Sequence, residues 1–375
     1  MPSDRALLPP GSYEQARADF KWRVADDFSI PQACCDDWAR DTPNAPAIID
    51  IAADGTREVW TFARLKEVSD RLASALRGRG VARGDRVAIL LPQSPWVMVA
   101  HFAIMKIGGV ALPLFTLFGE DALEVRLADS GAVLAITDEA NLDRLMSVAP
   151  RTSLKEVITL GQSARAGPVA IRAMEDELAQ AQAVTPVNIS RDDPAVMIYT
   201  SGTTGPPKGA LHAHRFLPGH LPGCEMFLDR PRAGDVGWTP ADWAWIGGLM
   251  DLAMPCLYYG LPLVAHRARK FDSEAAYALM QDVRVSISFL PPTALKMLRQ
   301  VAVPEGLCLR AVGSGGESLA PDLLEWGDHD LGAQIGELYG QTECNLVVAS
   351  GLGLRRAGKI GKPVPGHDVS IRRAD

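Results

Sequence analysis

Between residues 86 and 160 the chain alternates between two textures, and this alternation limits the fold more than any other feature. Short apolar runs at residues 86–91, 110–114, 132–137 and 156–160 read as buried strands. The stretches between them, 94–107, 122–128 and 141–148, carry helical spacing. That rhythm argues for an α/β fold with helices covering the faces of a layered sheet. It resumes further on, with strands expected at 262–265, 285–290, 309–312 and 334–338 and helices at 273–281, 293–301 and 321–326. The fold class expected is therefore α/β, with two layered mixed or parallel sheets and flanking helices.

The flanks are read in the same way. Residues 33–39, with Trp38, suggest a short helix, and residues 47–50 and 58–61 flank Asp54-Gly55, a hairpin signal. Leu65, Val68, Leu72 and Leu76 recur at helical spacing, with Gly78 and Gly80 as the stop. The first thirty residues, polar and Pro-containing, read as a surface arm. Residues 161–194, with Pro168, Pro186 and Pro194, read as a connection.

A length of 375 residues exceeds one small core and predicts two or three packed units. Hydrophobic residues at 47% and charged residues at 22% are those of a soluble globular protein, and a net charge of −7 argues against nucleic acid as the main partner. The start, Met1-Pro2-Ser3-Asp4-Arg5, lacks a signal-peptide pattern. The apolar run 97–105 is broken by His101 and followed by Lys106, so no membrane span is expected. Cys34, Cys35, Cys224, Cys256, Cys308 and Cys344 form no C-x-x-C, as in a reduced, cytoplasmic protein.

Chemistry concentrates in loops that follow strands, where open α/β sheets bind ligands. The run Ala195-Val196-Met197-Ile198 leads into Tyr199-Thr200-Ser201-Gly202-Thr203-Thr204-Gly205-Pro206-Pro207-Lys208-Gly209. Small residues let the backbone turn tightly and aim N–H groups at phosphate oxygens; the hydroxyls and Lys208 add donors and charge. The P-loop signature, G-x-x-x-x-G-K-[ST], fails, because Lys208 follows two prolines and precedes a glycine. Further small-residue turns occur at Gly313-Ser314-Gly315-Gly316-Glu317-Ser318 and Tyr339-Gly340-Gln341-Thr342-Glu343.

Taken together these segments resemble the acyl-adenylate-forming (AMP-binding) enzymes, which include acyl-CoA synthetases. Residues 200–209 match the family's phosphate loop, and residues 339–343 match its second signature. Gly316-Glu317-Ser318, Ala241-Asp242-Trp243-Ala244-Trp245 and Gly358-Lys359-Ile360-Gly361-Lys362-Pro363 resemble motifs of the acetyl- and medium-chain acyl-CoA synthetase branch, with Ser318 for Pro and Ala244 for Gly. The five segments span residues 200–363, and the earlier chain fits the family by its alternating pattern alone.

The resemblance implies that a carboxylate attacks the α-phosphorus of ATP, giving acyl-AMP and pyrophosphate, after which CoA thiol displaces AMP. It implies a phosphate grip by Thr200, Ser201, Gly202, Thr203, Thr204, Gly205 and Lys208. Thr342 would donate to the α-phosphate and Glu343 would ligate Mg²⁺, so that Thr342, Glu343 and Lys208 form the catalytic set. Gly316, Glu317 and Ser318 would line one face of adenine and Tyr339 the other, with Gly340 and Gln341 in the same nucleotide site. Trp245, Gly247, Ser314, Gly315 and Gly340 would line the acyl pocket; glycine at 315 and 340 in place of bulkier residues implies a medium-chain or aryl acid. Trp238, Trp243 and Trp245 crowd together, His212 and His214 suggest packing at a helix entry, and Arg267, Arg269 and Lys270 offer charge for the nucleotide phosphate of CoA. ATP, Mg²⁺, CoA and a small carboxylic acid are the implied ligands, and a homo-oligomer is compatible with them. A ligase that loads a carrier protein, and a non-catalytic nucleotide-binding protein, share these motifs.

The family's Thr-Gly-Asp segment, hinge and catalytic lysine have no counterpart here. The expectation is a piece of a longer synthetase, with a natural truncation or a separate complementing polypeptide as alternatives; alone it should bind ATP weakly and form thioester poorly. Expected divisions are an arm and start at 1–57, a first α/β part at 58–212, a second at 213–345, and the opening of a barrel-like third part at 346–375.

Overall fold

Strands form where β-branched and apolar residues cluster, and their order sets where the loops emerge. The computed structural model describes residues 5–161, 166–181, 187–200, 205–268 and 270–373. The chain forms two units.

One unit comprises residues 25–216 and 242–245. β1 (Pro46–Ile51) and β2 (Arg57–Thr61) pair antiparallel as the expected hairpin. The Thr61 hydroxyl then accepts from the Arg64 amide and caps the helix Phe62–Gly78. β3 (Arg86–Leu90), β4 (Val110–Pro113), β5 (Leu134–Asp138), β6 (Glu156–Leu160), β7 (Ala170–Ala173), β8 (Pro194–Thr200) and β9 (Lys208–Ala213) form a sheet in the order β7-β6-β5-β3-β4-β8-β9. Neighbours are parallel except β8 and β9. Its central strands are buried on both faces, which is why they read as continuous apolar runs.

The helix Pro95–Lys106 is buried at every position except Trp96, which is half-buried. Its terminal Lys106 ammonium lies 2.8 Å from Asp36 and donates to Ser69 and Asp70, so the one charge inside is met by two carboxylates. The expected open connection at 161–194 instead holds β7 and the helix Met174–Gln180. β7 pairs on one side only and is four residues long, too short to show a period. The helix is fastened from outside, by Arg71 donating to the Leu178 carbonyl and Arg79 pairing with Glu177.

The other unit comprises residues 5–24, 217–241 and 246–373. β10 (Gly237–Trp238), β11 (Leu263–His266), β12 (Ile287–Phe289), β13 (Ala311–Ser314), β14 (Gln334–Gln341), β15 (Asn345–Ala349) and β16 (Lys362–Pro363) lie in the order β11-β10-β12-β13-β14-β15-β16. Pairing is parallel from β11 to β14 and antiparallel from β14 to β16. The buried helix Phe216–Phe227 has no sequence signal, because Pro218, Gly219, Pro222 and Gly223 interrupt it. Packing overrides propensity there: a Cβ on Gly223 would run into Leu346.

The first residues correct the surface-arm expectation. Leu8, Tyr13 and Ala16 are buried, the last two in the helix Tyr13–Asp19. The fully buried Glu225 carboxylate accepts from the amides of Leu7 and Leu8, at 2.7 and 3.0 Å, and from the Tyr259 hydroxyl at 2.7 Å. Arg230 donates to the carbonyls of Leu8 and Pro9. Each unit is thus drawn from separate stretches of the chain. Among the described residues no helix is long and apolar enough to cross a membrane.

Candidate active site

The phosphate-loop motif connects β8 to β9, which run antiparallel with Tyr199 opposite Gly209 and Thr200 opposite Lys208. Gly205 takes φ +99°, a left-handed value suited to glycine, and Lys208 is exposed at the start of β9. Ser201, Gly202, Thr203 and Thr204 lie outside the described residues. The base of the loop is braced by groups that the motif does not contain. The Tyr199 hydroxyl donates to Asp129 at 2.6 Å, and the buried Arg126 guanidinium lies over the Phe118 ring at 4.1 Å and the Tyr199 ring at 5.8 Å. Burial, aided by the Asp129 carboxylate, pushes the Tyr199 phenol well up, so it remains a neutral donor.

His212 is on β9, and its ring stacks at 3.8 Å on Phe216, the first residue of the following helix. His214 accepts the Ile30 amide on Nδ1 at 3.2 Å, and burial lowers its pKa to about 4. Both histidines are packing residues. Trp243 is buried and Trp245 half-buried in this unit, whereas Trp238 is buried in the other. Asp242 accepts from the Ala244 amide at 2.8 Å, and burial raises its pKa.

In the other unit, Gly316-Glu317-Ser318 and Tyr339-Gly340-Gln341-Thr342-Glu343 follow neighbouring strands. β13 and β14 pair in parallel with Ser314 opposite Glu337, so both segments lie at the carboxyl edge of the same sheet. Glu337 links them, since its carboxylate accepts from the Leu319 amide at 3.3 Å. The second signature is not an open loop. β14 continues to Gln341 because, past Glu337, it pairs antiparallel with β15, and the Cys344 amide donates to the Gln341 carbonyl to close the turn. Glu317, Ser318 and Glu343 are exposed, and the Tyr339 ring is 45% exposed.

Of the residues expected around the acyl group, Ser314, Gly315 and Gly340 lie on or beside β13 and β14. Gly247 is buried in the short helix Ile246–Gly248, and Trp245 belongs to the other unit. Ser314 is fully buried, and among the described residues its hydroxyl has no hydrogen-bond partner. A Cβ on Gly315 would strike Leu338, and one on Gly340 would strike the Asn345 carbonyl. Glycine at both positions thus has a local packing cause beside any role in the pocket.

Arg267 and Lys270 are exposed, and Arg269 lies outside the described residues. A depression of about 490 Å³ is lined by Lys270 but also by Asp272 and Glu274, so carboxylates outnumber the ammonium there, and apart from Lys270 it contains none of the expected site residues. Among the described residues no three His, Cys, Asp or Glu side chains converge as a metal cage. Glu343 with the Thr342 hydroxyl is a hard-oxygen pair; it suits Mg²⁺, which is commonly held by one or two carboxylates, substrate phosphates and water.

Sequence reasoning passed over Asp129, Arg126, Glu337 and Asp251. The last could have been noticed, as a lone carboxylate in Leu249-Met250-Asp251-Leu252-Ala253.

Known proteins resemble this chain in sequence and fold. The chain is 32% identical over 330 residues to an acetyl-coenzyme A synthetase of Bacillus subtilis, covering 84% of this chain and 56% of that protein. It is 29% identical over 371 residues to the mitochondrial acyl-coenzyme A synthetase ACSM3 of Mus musculus, covering 96% and 63%. The crystal structure of a Brucella canis acyl-CoA synthetase superposes with a TM-score of 0.85 at 30% identity, over 95% of this chain and 67% of that one. This chain thus spans about three fifths of the length of the curated relatives. The profile of the AMP-binding enzyme family matches residues 35–375, so the two glycine-rich turns beside β13 and β14 and the loop between β8 and β9 sit in a family context: the chain belongs to the AMP-binding enzymes.

Proposed function

We propose that this chain is the nucleotide- and acid-binding part of an AMP-forming acyl-CoA synthetase acting on a medium-chain or aryl carboxylic acid. The observation that carries the reading is the pairing of β13 with β14. It sets Gly316-Glu317-Ser318 and Tyr339-Gly340-Gln341-Thr342-Glu343 at one sheet edge, with a half-exposed aromatic ring available to stack on a base.

In this reading Tyr339 and the 316–318 turn hold adenine, Thr342 donates to the α-phosphate, and Glu343 holds Mg²⁺. The metal, when bound, neutralises charge on the phosphate oxygens. The acid's own carboxylate oxygen forms the new bond to the α-phosphorus as the bond to pyrophosphate breaks; CoA sulfur then forms the thioester and AMP leaves. No protein nucleophile is required, so the task of these residues is alignment and charge neutralisation. Lys208 and Thr200 keep the phosphate-gripping role that the motif gives them, as do Ser201, Gly202, Thr203, Thr204 and Gly205. The buried, unpartnered Ser314 hydroxyl supports a polar contact near the acyl group.

The test is acid-dependent exchange of labelled pyrophosphate into ATP across a panel of carboxylates. Exchange highest with a medium-chain or aryl acid is expected. Glu343→Gln and Lys208→Ala should each lower it at least ~tenfold. Acetate as the best substrate would overturn the choice of acid, and no exchange with any acid, together with no ATP binding, would overturn the adenylation reading.

A further inference from the structure

An acidic side chain sits deep in an apolar turn of the nucleotide-site unit. Asp251 lies within the single π-helical turn Leu249–Ala253 and is 3% exposed. A carboxyl in such surroundings loses hydration, and hydrophobic packing alone would select against it. π-Helical turns occur often at functional sites. This one is pinned from the helix Phe216–Phe227: His220 Nε2 lies 2.7 Å from the Met250 carbonyl, and Cys224 Sγ lies 3.9 Å from the carbonyls of Met250 and Asp251.

What Asp251 reaches is the turn of the second signature. Its Oδ1 accepts from Asn345 Nδ2 at 2.9 Å, inside the protein. Asn345 is itself 3% exposed and takes φ +51°, a left-handed value that Asn tolerates better than most residues. It opens β15 opposite Gln341, and its carbonyl occupies the space that a side chain at position 340 would need. Thr342 and Glu343 lie between these two paired residues. Asn345 is thus the inner pivot of the turn, and Asp251 is what its side chain is tied to.

We propose that Asp251 is a positioning residue that acts through Asn345 to hold the Gln341–Asn345 turn, and with it the Thr342 hydroxyl and Glu343 carboxylate, in the geometry that receives Mg²⁺-bound ATP. The nucleotide part rests on the function proposed above; the mechanical part, that Asp251 holds the turn, does not.

The test compares the whole chain with D251A, D251N, N345G and the double variant D251A/N345G. Hydrogen exchange of peptides covering 338–349 is followed without nucleotide, and calorimetric titration is run with ATP in Mg²⁺ and in EDTA. Loss of one buried hydrogen bond should speed exchange of the turn amides about tenfold in D251A and in N345G, and weaken Mg²⁺-ATP binding by a similar factor. Because both changes cut the same link, the double variant should be no worse than either single one. D251N still presents an oxygen to Asn345 Nδ2 and should recover most of the protection and affinity. N345G keeps the left-handed backbone, so it decides the matter even where D251A fails to fold. Wild-type exchange rates in N345G, or additive effects in the double variant, would overturn the proposal. So would equal weakening with and without Mg²⁺, which marks a general structural loss. If wild-type chain binds no ATP, the proposed function falls and the exchange measurement alone decides the role of Asp251.

Discussion

Single substitutions at Gly315 and Gly340 separate close local packing from the acyl-pocket volume proposed above. Reduced side-chain volume at the acyl end was the demand visible in the sequence; the structure adds close backbone packing. At 340 the obstacle to a side chain is the Asn345 carbonyl, which cannot rotate away, whereas at 315 the nearest atoms belong to the Leu338 side chain. Gly340→Ala is therefore expected to destabilise the chain by ~1–3 kcal/mol in urea unfolding, and Gly315→Ala by less. Unchanged stability in Gly340→Ala, with a shift of exchange activity toward shorter acids, would instead make pocket volume the reason for the glycine. The same contrast explains what the motifs conveyed. They named Thr342, Glu343 and Tyr339, whose types suit phosphate, metal and base. They did not name Asp129, Glu337 or Asp251, which act on other residues across the fold and carry no mark in local sequence.

Elements buried on both faces announce themselves, and elements held by distant partners do not. β3 to β6 are continuous apolar runs, and their strands fall within two residues of the sequence expectation. β7 pairs with nearby β6 and is too short to show a period, whereas the helix Phe216–Phe227 and the helix Tyr13–Asp19 are shaped by contacts with residues far along the chain, so propensity gave no warning of them. The last of these yields a prediction. Glu225→Ala leaves the amides of Leu7 and Leu8 and the Tyr259 hydroxyl without their acceptor. It should cost ~3 kcal/mol and expose residues 5–24 to rapid cleavage by thermolysin. Wild-type cleavage rates and melting temperature in that variant would mean that Arg230 and the buried Leu8, Tyr13 and Ala16 hold the segment without it.

For the whole molecule, buried histidines set part of the acid limit. Burial lowers His101 to a pKa of about 4, opposed by its bond to the Val97 carbonyl, against 6.5 for the ordinary side chain. A depressed histidine is neutral when folded. Its stabilising term is complete above pH 6.5 and is lost as pH falls toward 4, by up to ~3 kcal/mol. Asp251 has the opposite sign: burial raises it to about 7, so its cost grows as pH climbs from 3.8 to 7. The two oppose each other in the wild-type curve, and a difference measurement separates them. Relative to His101→Leu, the wild-type chain should lose stability steadily between pH 6.5 and 4; a constant difference would show that His101 does not titrate in this way.

The anchoring of residues 5–24 also dictates an order of events during synthesis. Leu7 and Leu8 receive their acceptor, Glu225, only when more than two hundred further residues have been made, and the segment meets Pro363 and Gly366 later still, through Tyr13 and Trp22. The unit formed by residues 25–216 and 242–245 can be complete long before the other, whose first and last strips of chain are separated by almost the full length of the polypeptide. The folding of that unit therefore depends on contacts between its most widely separated stretches of chain.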